Sequence, residues 1–424
     1  MTIINRTPRR TRALPRALLL LAAAAVPMTD TGVEAQRGRP APRRPALEAG
    51  ADTNSAAAYL QLGNQSLHNR PDVALAAFHW AAQLDPGSAE ALYGRYAAEL
   101  VSDPRRLVNY MEGRRQVVNS PAVQRIDSMY FRALTMDPFL YRRHETEVVR
   151  VYLRTLARAA LEREEGPGGV NDALISHWID VWLQNAGPTL RAQRAYGDGR
   201  FGDALRLYDE ALGGRGRKSW LRTERARLYA HIQNDSAAAA EFTLALNDLR
   251  GEDERDLVYL YESKALLEYG MGRLHERMGN EAAAREAYGR ALAEDLSFYP
   301  AHMRMGVMAL MAGDTTTMNT ELELATEAAA GEPAVGYVHG VALMQAGHLE
   351  RGAERLAGVT QAAPYFADGW FALGVARERM GDRSAALNAY RAFLARAPRG
   401  HARIAVAERL VRELDLSLPA PGAN

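Results

Sequence analysis

The chain has 424 residues, 52 basic against 51 acidic, a formal net charge of +1 and no cysteine. The charge balance argues against nucleic acid as a partner, and the missing thiols exclude disulfides, a thiol nucleophile and a lipidated cysteine anchor. Hydrophobic residues make up 47% of the chain, yet no stretch alternates as a strand does, so the core is expected to be helical throughout.

The N-terminus reads as a targeting segment. Arg6, Arg9, Arg10, Arg12 and Arg16 form a basic region, followed by an apolar run over residues 17–28, too short to span a bilayer comfortably. Small residues ending at Ala35 predict cleavage there, with residues 1–35 as a signal peptide and Gln36 as the first mature residue. The mature chain then carries 47 basic and 49 acidic residues, a formal charge of −2. No later segment is apolar enough to cross a membrane. The expected location is therefore periplasmic or extracellular. Residues 36–55, rich in Arg and Pro, read as an extended linker, a spacer between the signal and the fold.

Residues 56–187 read as helical but irregular. Ala74, Phe78, Ala81 and Pro86 suggest one helix of a hairpin, and Tyr130, Ala133 and Pro138 repeat part of that signature. Helices are expected at about 104–118, 121–136, 143–165 and 171–185, with Gly166-Pro167-Gly168-Gly169 as a breaker. His144, Glu145 and Glu147 read as a solvated helix start. Ile175, Trp178, Ile179 and Trp182 share a face, read as core in preference to a ligand shelf.

From residue 188 to 398 the chain becomes periodic. Gly272, Gly306, Gly340 and Gly374 stand 34 residues apart. In the clearest unit, Trp370, Leu373, Gly374 and Arg377 mark one face of a first helix. Gly381-Asp382 breaks it, Ala386, Tyr390 and Phe393 mark a second helix, and Pro398 ends that. Upstream copies keep the register through Leu356, Leu322, Tyr288, Phe242 and Tyr208. The small residue at the eighth position is expected to meet the small residue at the twentieth, where the two helices cross closely. The pattern W-x2-L-G-x2-Y, A-x3-F, P resembles the tetratricopeptide repeat, with Arg377 where that family prefers Tyr. The resemblance covers residues 186–400 well and 56–138 in part. It implies an all-α, right-handed superhelical solenoid of helix-turn-helix repeats. Residues 399–414 read as a capping helix and 415–424 as a flexible tail.

Several motifs imitate chemistry. Gly197, Gly199 and Gly202 spell G-x-G-x-x-G, but a dinucleotide site needs a strand before it, and here a helix precedes. Residues 213–219 resemble a phosphate loop, again without a strand. The histidines form no ligand pair at metal-binding spacing, and His339 and His348 fall on different expected helices. No catalytic, cofactor-binding or metal-binding residue is assigned, and the chain reads as a non-enzyme.

The resemblance also implies a concave groove lined by positions five, nine and twelve of each first helix. These are Tyr269, Arg273 and Glu276; Met303, Val307 and Leu310; Tyr337, Val341 and Met344; and Phe371, Val375 and Glu378. Mostly apolar, the set suggests an amphipathic or extended apolar protein or peptide as partner, unless the chain itself covers the stripe. Two other readings stand beside this scaffold. One is a structural subunit that self-assembles or joins an envelope complex. The other is an enzyme in residues 100–188, which a cluster of inward-facing polar side chains there would favour.

Overall fold

The computed structural model describes residues 42–111, 121–165, 171–214, 218–253 and 263–417. The expected signal peptide, the breaker at 166–169 and residues 418–424 lie outside them. Among the described residues there are 20 α-helices and no strand. The chain forms two compact units. Of the described residues, unit 1 holds 96–111, 121–131 and those between 139 and 264, and unit 2 holds 42–95, 132–138 and 265–417. The sequence suggested one array over 188–398. The first two of its helix pairs lie in unit 1 and the rest in unit 2, together with the N-terminal hairpin.

In unit 2, α1 (Ala56–Ser66) and α2 (Pro71–Leu84) form the N-terminal hairpin. Ser55 opens α1 by accepting a hydrogen bond from Ala58 N. Helix α3 (Ala89–Ser102) follows and runs into unit 1. Unit 1 continues with α4 (Pro104–Met111), most of α5 (Pro121–Met136), α6 (Glu145–Glu165) and α7 (Asp172–Gln184). Its regular pairs are α8 (Pro188–Gly197) with α9 (Phe201–Leu212), and α10 (Ser219–His231) with α11 (Asp235–Asp253). The G-x-G-x-x-G letters fill the turn between α8 and α9, where Gly199 has φ +74°.

Unit 2 resumes with four helix pairs. These are α12 (Lys264–Arg277) with α13 (Glu281–Glu294), α14 (Tyr299–Met311) with α15 (Thr315–Ala328), α16 (Pro333–Gln345) with α17 (Leu349–Ala362), and α18 (Ala367–Arg379) with α19 (Arg383–Leu394). Each hairpin turns on a glycine at positive φ: Gly279 (76°), Gly313 (78°), Gly347 (88°) and Gly381 (79°). These form a second series with the 34-residue period. A left-handed residue ends a helix without a steric penalty only if it lacks Cβ. Asp314 and Asp382 then cap α15 and α19 through their side chains.

The eighth-position glycines also sit where backbones come close. The atoms that a Cβ there would meet first belong to the large residue at position twenty-four. A Cβ on Gly306 would stand 2.7 Å from Leu322 Cγ, and one on Gly340 2.7 Å from Leu356 Cγ. Gly340 also meets its twentieth-position partner, with a Cβ 3.3 Å from Gly352 O.

Helix α20 (Ile404–Ser417) closes the array. Its Ala407 and Leu414 are buried, and Leu410, Val411 and Ile404 pack on the α18–α19 pair. The tail expected from residue 415 is still helical to Ser417. The expected linker also differs from its reading. From Pro42 onward it is docked on unit 2. Leu47 joins the core around Tyr59 and Ala81, and Trp80 Nε1 donates to Pro42 O (3.0 Å). Its Arg44 stacks over the rings of Trp80 (4.8 Å) and Tyr59 (5.3 Å).

Candidate functional site

The first-helix row of unit 2 is partly sunk into the packing between repeats. In α12, Tyr269 is buried and its hydroxyl accepts from Arg273 NH1 (3.2 Å). Glu276 is engaged by the Arg304 guanidinium at 3.1 and 2.7 Å. This end of the row is a closed polar network. In α14, Met303, Val307 and Leu310 are half-buried, and Met303 and Leu310 pack on the core around Met318 and Leu322. In α16, Met344 is buried, while Tyr337 and Val341 are half-buried and share a cluster with Val375 of α18. Phe371 is half-buried, packed edge-on to Phe393 (5.2 Å) and tilted against Tyr390 (5.6 Å), with Arg403 over its ring (5.2 Å). Glu378 is exposed and accepts from Tyr390 OH (2.6 Å).

The row thus divides. Tyr269, Arg273 and Met344 belong to packing or to internal bonds. Met303, Val307, Leu310, Tyr337, Val341, Phe371 and Val375 keep part of their surface. Trp370 is half-buried, donates from Nε1 to Pro364 O (3.1 Å) and carries Arg396 over its ring (5.0 Å). Burial, and then the Asp368 carboxylate, push the Tyr337 hydroxyl up; Arg403 works against them.

The far end of unit 2 is tied to its beginning. Asn54 Nδ2 donates to Ala395 O (3.2 Å) and Ala397 O (3.5 Å), carbonyls at the C-terminal end of α19. Asp52 Oδ2 accepts from Arg399 N (2.6 Å), and Gly50 O from Arg399 NH1 (3.2 Å). Trp80 meets Tyr365 edge-on at 5.0 Å. The composition of residues 42–55 gave no sign of this clasp.

Unit 1 corrects two readings. His144 and Glu145 are buried, not solvated. Arg142, also buried, pairs with Glu145 Oε1 (2.9 Å) and with Glu224, and Glu224 in turn accepts from Arg227 NH1 (3.0 Å). Arg142 NH1 donates to Tyr130 OH (3.0 Å). Beside them Tyr110 donates to Asp127 Oδ1 (2.6 Å). Burial pushes Asp127 up to about 6. Burial above all, with the Glu224 charge, pushes Glu145 up to about 7 against the pull of Arg142 and Arg227. Burial lowers His144 to about 4. Charged residues at a helix start read as solvent-facing because their partners Glu224 and Arg227 are some 80 residues away in sequence.

The second correction is α7. It buries Ile175, Ile179 and Leu183, at spacings of four, and leaves Trp178 70% and Trp182 38% exposed, with Leu174 and Val181 beside them. Its apolar arc is wider than the neighbouring helices cover. Among the described residues no cluster of His, Asp and Glu is placed to hold a metal, and no helix is long and apolar enough to cross a membrane.

No protein-family profile and no curated protein matches the chain. Solved structures do resemble it. One is YrrB, described as a TPR protein with an unusual peptide-binding site. It is 18% identical, covering 50% of this chain and 100% of YrrB at a TM-score of 0.38. Another is PilW, a type IV pilus biogenesis factor, 18% identical over 49% of this chain and 91% of its own, TM-score 0.40. A third is the C-terminal part of a TPR repeat-containing protein from Cytophaga hutchinsonii. It is 12% identical over 54% of this chain and 95% of its own, TM-score 0.42. The geometry of the four regular pairs of unit 2, with a 34-residue period, a close-packed glycine in each first helix and a left-handed glycine at each turn, is an all-α array of helix-turn-helix repeats of the tetratricopeptide kind.

Proposed function

We propose that the chain is an exported repeat scaffold that binds a segment of another protein along the first-helix row of unit 2. The observation that carries this reading is the set of half-buried apolar side chains there: Met303, Val307, Leu310, Tyr337, Val341, Phe371 and Val375. Repeats at fixed spacing present such side chains on successive helices, which suits an extended or amphipathic segment. Met303 adds an adaptable contact. Export rests on the targeting pattern of residues 1–35. A photo-crosslinking amino acid at Val307 or Val341, followed by purification from the cell envelope, tests both parts. The expected result is one dominant crosslinked partner and a mature chain beginning at Gln36. Full-length precursor retained in the cytoplasm overturns export. Crosslinks confined to solvent or to the chain itself overturn the row as a binding surface.

One observation favours a second reading, a subunit of an assembly. The Leu174, Trp178, Val181 and Trp182 face of α7 is apolar and exposed, as interface aromatics often are before association. Sedimentation of the purified chain over a concentration series tests it. A mass that rises in the wild type and not in Trp178→Ser/Trp182→Ser supports assembly through α7; a constant mass excludes self-assembly.

A further inference from the structure

Unit 2 already carries a cation on the last helix of its row. Arg403 ends the loop between α19 and α20, and its guanidinium lies over the ring of Phe371 (5.2 Å). The same group pairs with the Asp368 carboxylate of α18 and donates to the Tyr337 hydroxyl of α16. A ring face, a carboxylate and a hydroxyl from two successive first helices thus converge on one planar cation. Phe371 and Tyr337 are half-buried members of the row, so Arg403 sits where the partner is proposed to lie.

The subsite keeps its shape without the Arg403 side chain. His401 Nδ1 accepts from Arg403 N (3.2 Å), so in the neutral ring the proton is on Nε2, which faces Asp368 Oδ1 at 3.3 Å. That contact holds the carboxylate through a backbone amide and a ring. Negative charge remains as well. Asp85 ends α2 beside Asp368: burial above all, and with it the Asp368 charge, raises the Asp85 carboxyl against its bond from Gly87 N. Departure of Arg403 leaves both acids to be offset by another cation.

The occupant is also loosely held. The Arg403 side chain is 45% exposed and that of Asp368 32%, and a surface pair of this kind adds little to stability. Guanidinium suits the place better than ammonium. It is flat, stacks on a ring, and offers several N–H donors in one plane to a carboxylate and a hydroxyl together. The two preceding repeats carry Ala334 and Pro300 where Asp368 stands, so the subsite belongs to the end of the row.

We propose that Phe371, Asp368 and Tyr337 form a subsite for an arginine side chain of the bound segment, and that Arg403 is an internal occupant which this arginine displaces. The inference rests on the reading of the row as the binding surface, and it gives the partner a chemistry: an apolar segment that carries an arginine.

The test titrates the full mature chain with three amino acids blocked at both ends as the N-acetyl, N-methylamide: arginine, lysine and citrulline, the neutral isostere of arginine. Labelled phenylalanine rings report occupancy at Phe371 by NMR. Arg403→Ala and Arg403→Gln, the second keeping most of the stem, empty the subsite. In both, blocked arginine is expected to give saturable shifts at Phe371. It should bind roughly threefold or more tighter than lysine or citrulline, and tighter by a similar factor than in the wild type, where Arg403 competes. Adding Asp368→Asn should weaken it by roughly threefold or more while the other phenylalanine signals stay in place. Shifts that saturate in neither variant overturn the proposal. So does equal affinity for lysine or citrulline, for wild type and variants, or with and without Asp368. A photo-crosslinker at Val341 separates this outcome from the reading it rests on. Arg403→Ala is expected to raise the yield of crosslinked partner; an unchanged or lower yield overturns displacement. Blocked arginine that binds while nothing crosslinks at Val307 or Val341 upholds the arginine subsite and overturns the row as a binding surface.

Discussion

Gly374 lies under the ring of Tyr390: a Cβ on the glycine would stand 2.6 Å from Tyr390 Cε1. The same sixteen-residue relation joins Gly272 to Tyr288, Gly306 to Leu322 and Gly340 to Leu356. Each glycine is therefore the socket for a large buried side chain of its own second helix. Gly374→Leu is expected to push α18 from α19 and cost about 1–3 kcal/mol, as overpacking does. Gly374→Ala already forces the buried Tyr390 ring to move and should cost part of that. Thermal melting of both variants checks the relation. A Gly374→Leu protein that melts with the wild type would mean that this crossing is not close.

The 34-residue period makes the hairpins, their order and the capping helix legible in the amino-acid sequence, because helix periodicity and glycine spacing are local signals. Contacts made across long separations leave no such signal. Position twenty was expected to meet the glycine because both residues are small; the ring at twenty-four fills the gap because the missing Cβ makes room for it. Glu145 sits at a polar helix start, and its burial depends on Arg142, Glu224 and Arg227, two of them remote in the chain. Trp178 and Trp182 share an arc with Ile175 and Ile179, and periodicity cannot tell which half of a wide apolar arc finds a neighbour. The linker shows only its composition, while its docking depends on Asp52 and Asn54 meeting residues some 340 positions later. In the groove, the register places the side chains on one face but does not say how deeply each sinks.

The turn glycines lead to a stability prediction. Gln233 stands 34 residues after Gly199 and adopts the same left-handed conformation, φ 63° against 74°. A side chain there crowds its own carbonyl. Gln233→Gly is expected to stabilise unit 1 by about 0.5–1 kcal/mol, the relief being reduced by the entropy that glycine loses on folding. Denaturant melts of the two proteins decide it. A variant less stable than the wild type means that the Gln233 side chain holds the turn by contacts that outweigh its backbone cost.

Asp127 offers a pH test. Burial raises it from 3.8 to about 6, so the folded state prefers its protonated form. Its contribution is complete below pH 3.8 and is lost as pH rises through about 6. His144, lowered to about 4, runs the opposite way, losing stability as pH falls below 6.5. The two are separated by a difference measurement. Asp127→Asn keeps an oxygen to accept from Tyr110 but cannot ionise. The variant is expected to gain on the wild type as pH rises from 5 to 8, by about 1.4 kcal/mol, the remainder of the effect falling between pH 3.8 and 5. The His144 trend, common to both proteins, cancels. A difference that stays flat between pH 5 and 8 would show that Asp127 ionises in the folded chain as easily as in the unfolded one.

The clasp between the two ends of unit 2 can be read one amide at a time. Arg399 N donates to Asp52 Oδ2 at 2.6 Å, so removal of that carboxylate exposes a single, identifiable proton. Asn54 serves the other side, taking up the carbonyls of Ala395 and Ala397 where α19 ends and no backbone donor follows. Asp52→Ala is expected to speed hydrogen exchange at the Arg399 amide at least tenfold while leaving amides in the middle of α14 and α16 unchanged. Asn54→Ala should lower the stability of the α18–α20 end by about 0.5–1.5 kcal/mol, the usual net worth of such a bond. The double variant tests whether the bonds act as one latch. If it loosens residues 42–55 and 395–399 together, and by more than the two single changes combined, the segment read from sequence as a spacer is a structural strap. If the Arg399 amide exchanges at the wild-type rate in Asp52→Ala, the strap does not rest on Arg399 through Asp52 in solution, and the hairpin is held by other contacts such as Trp80 against Tyr365.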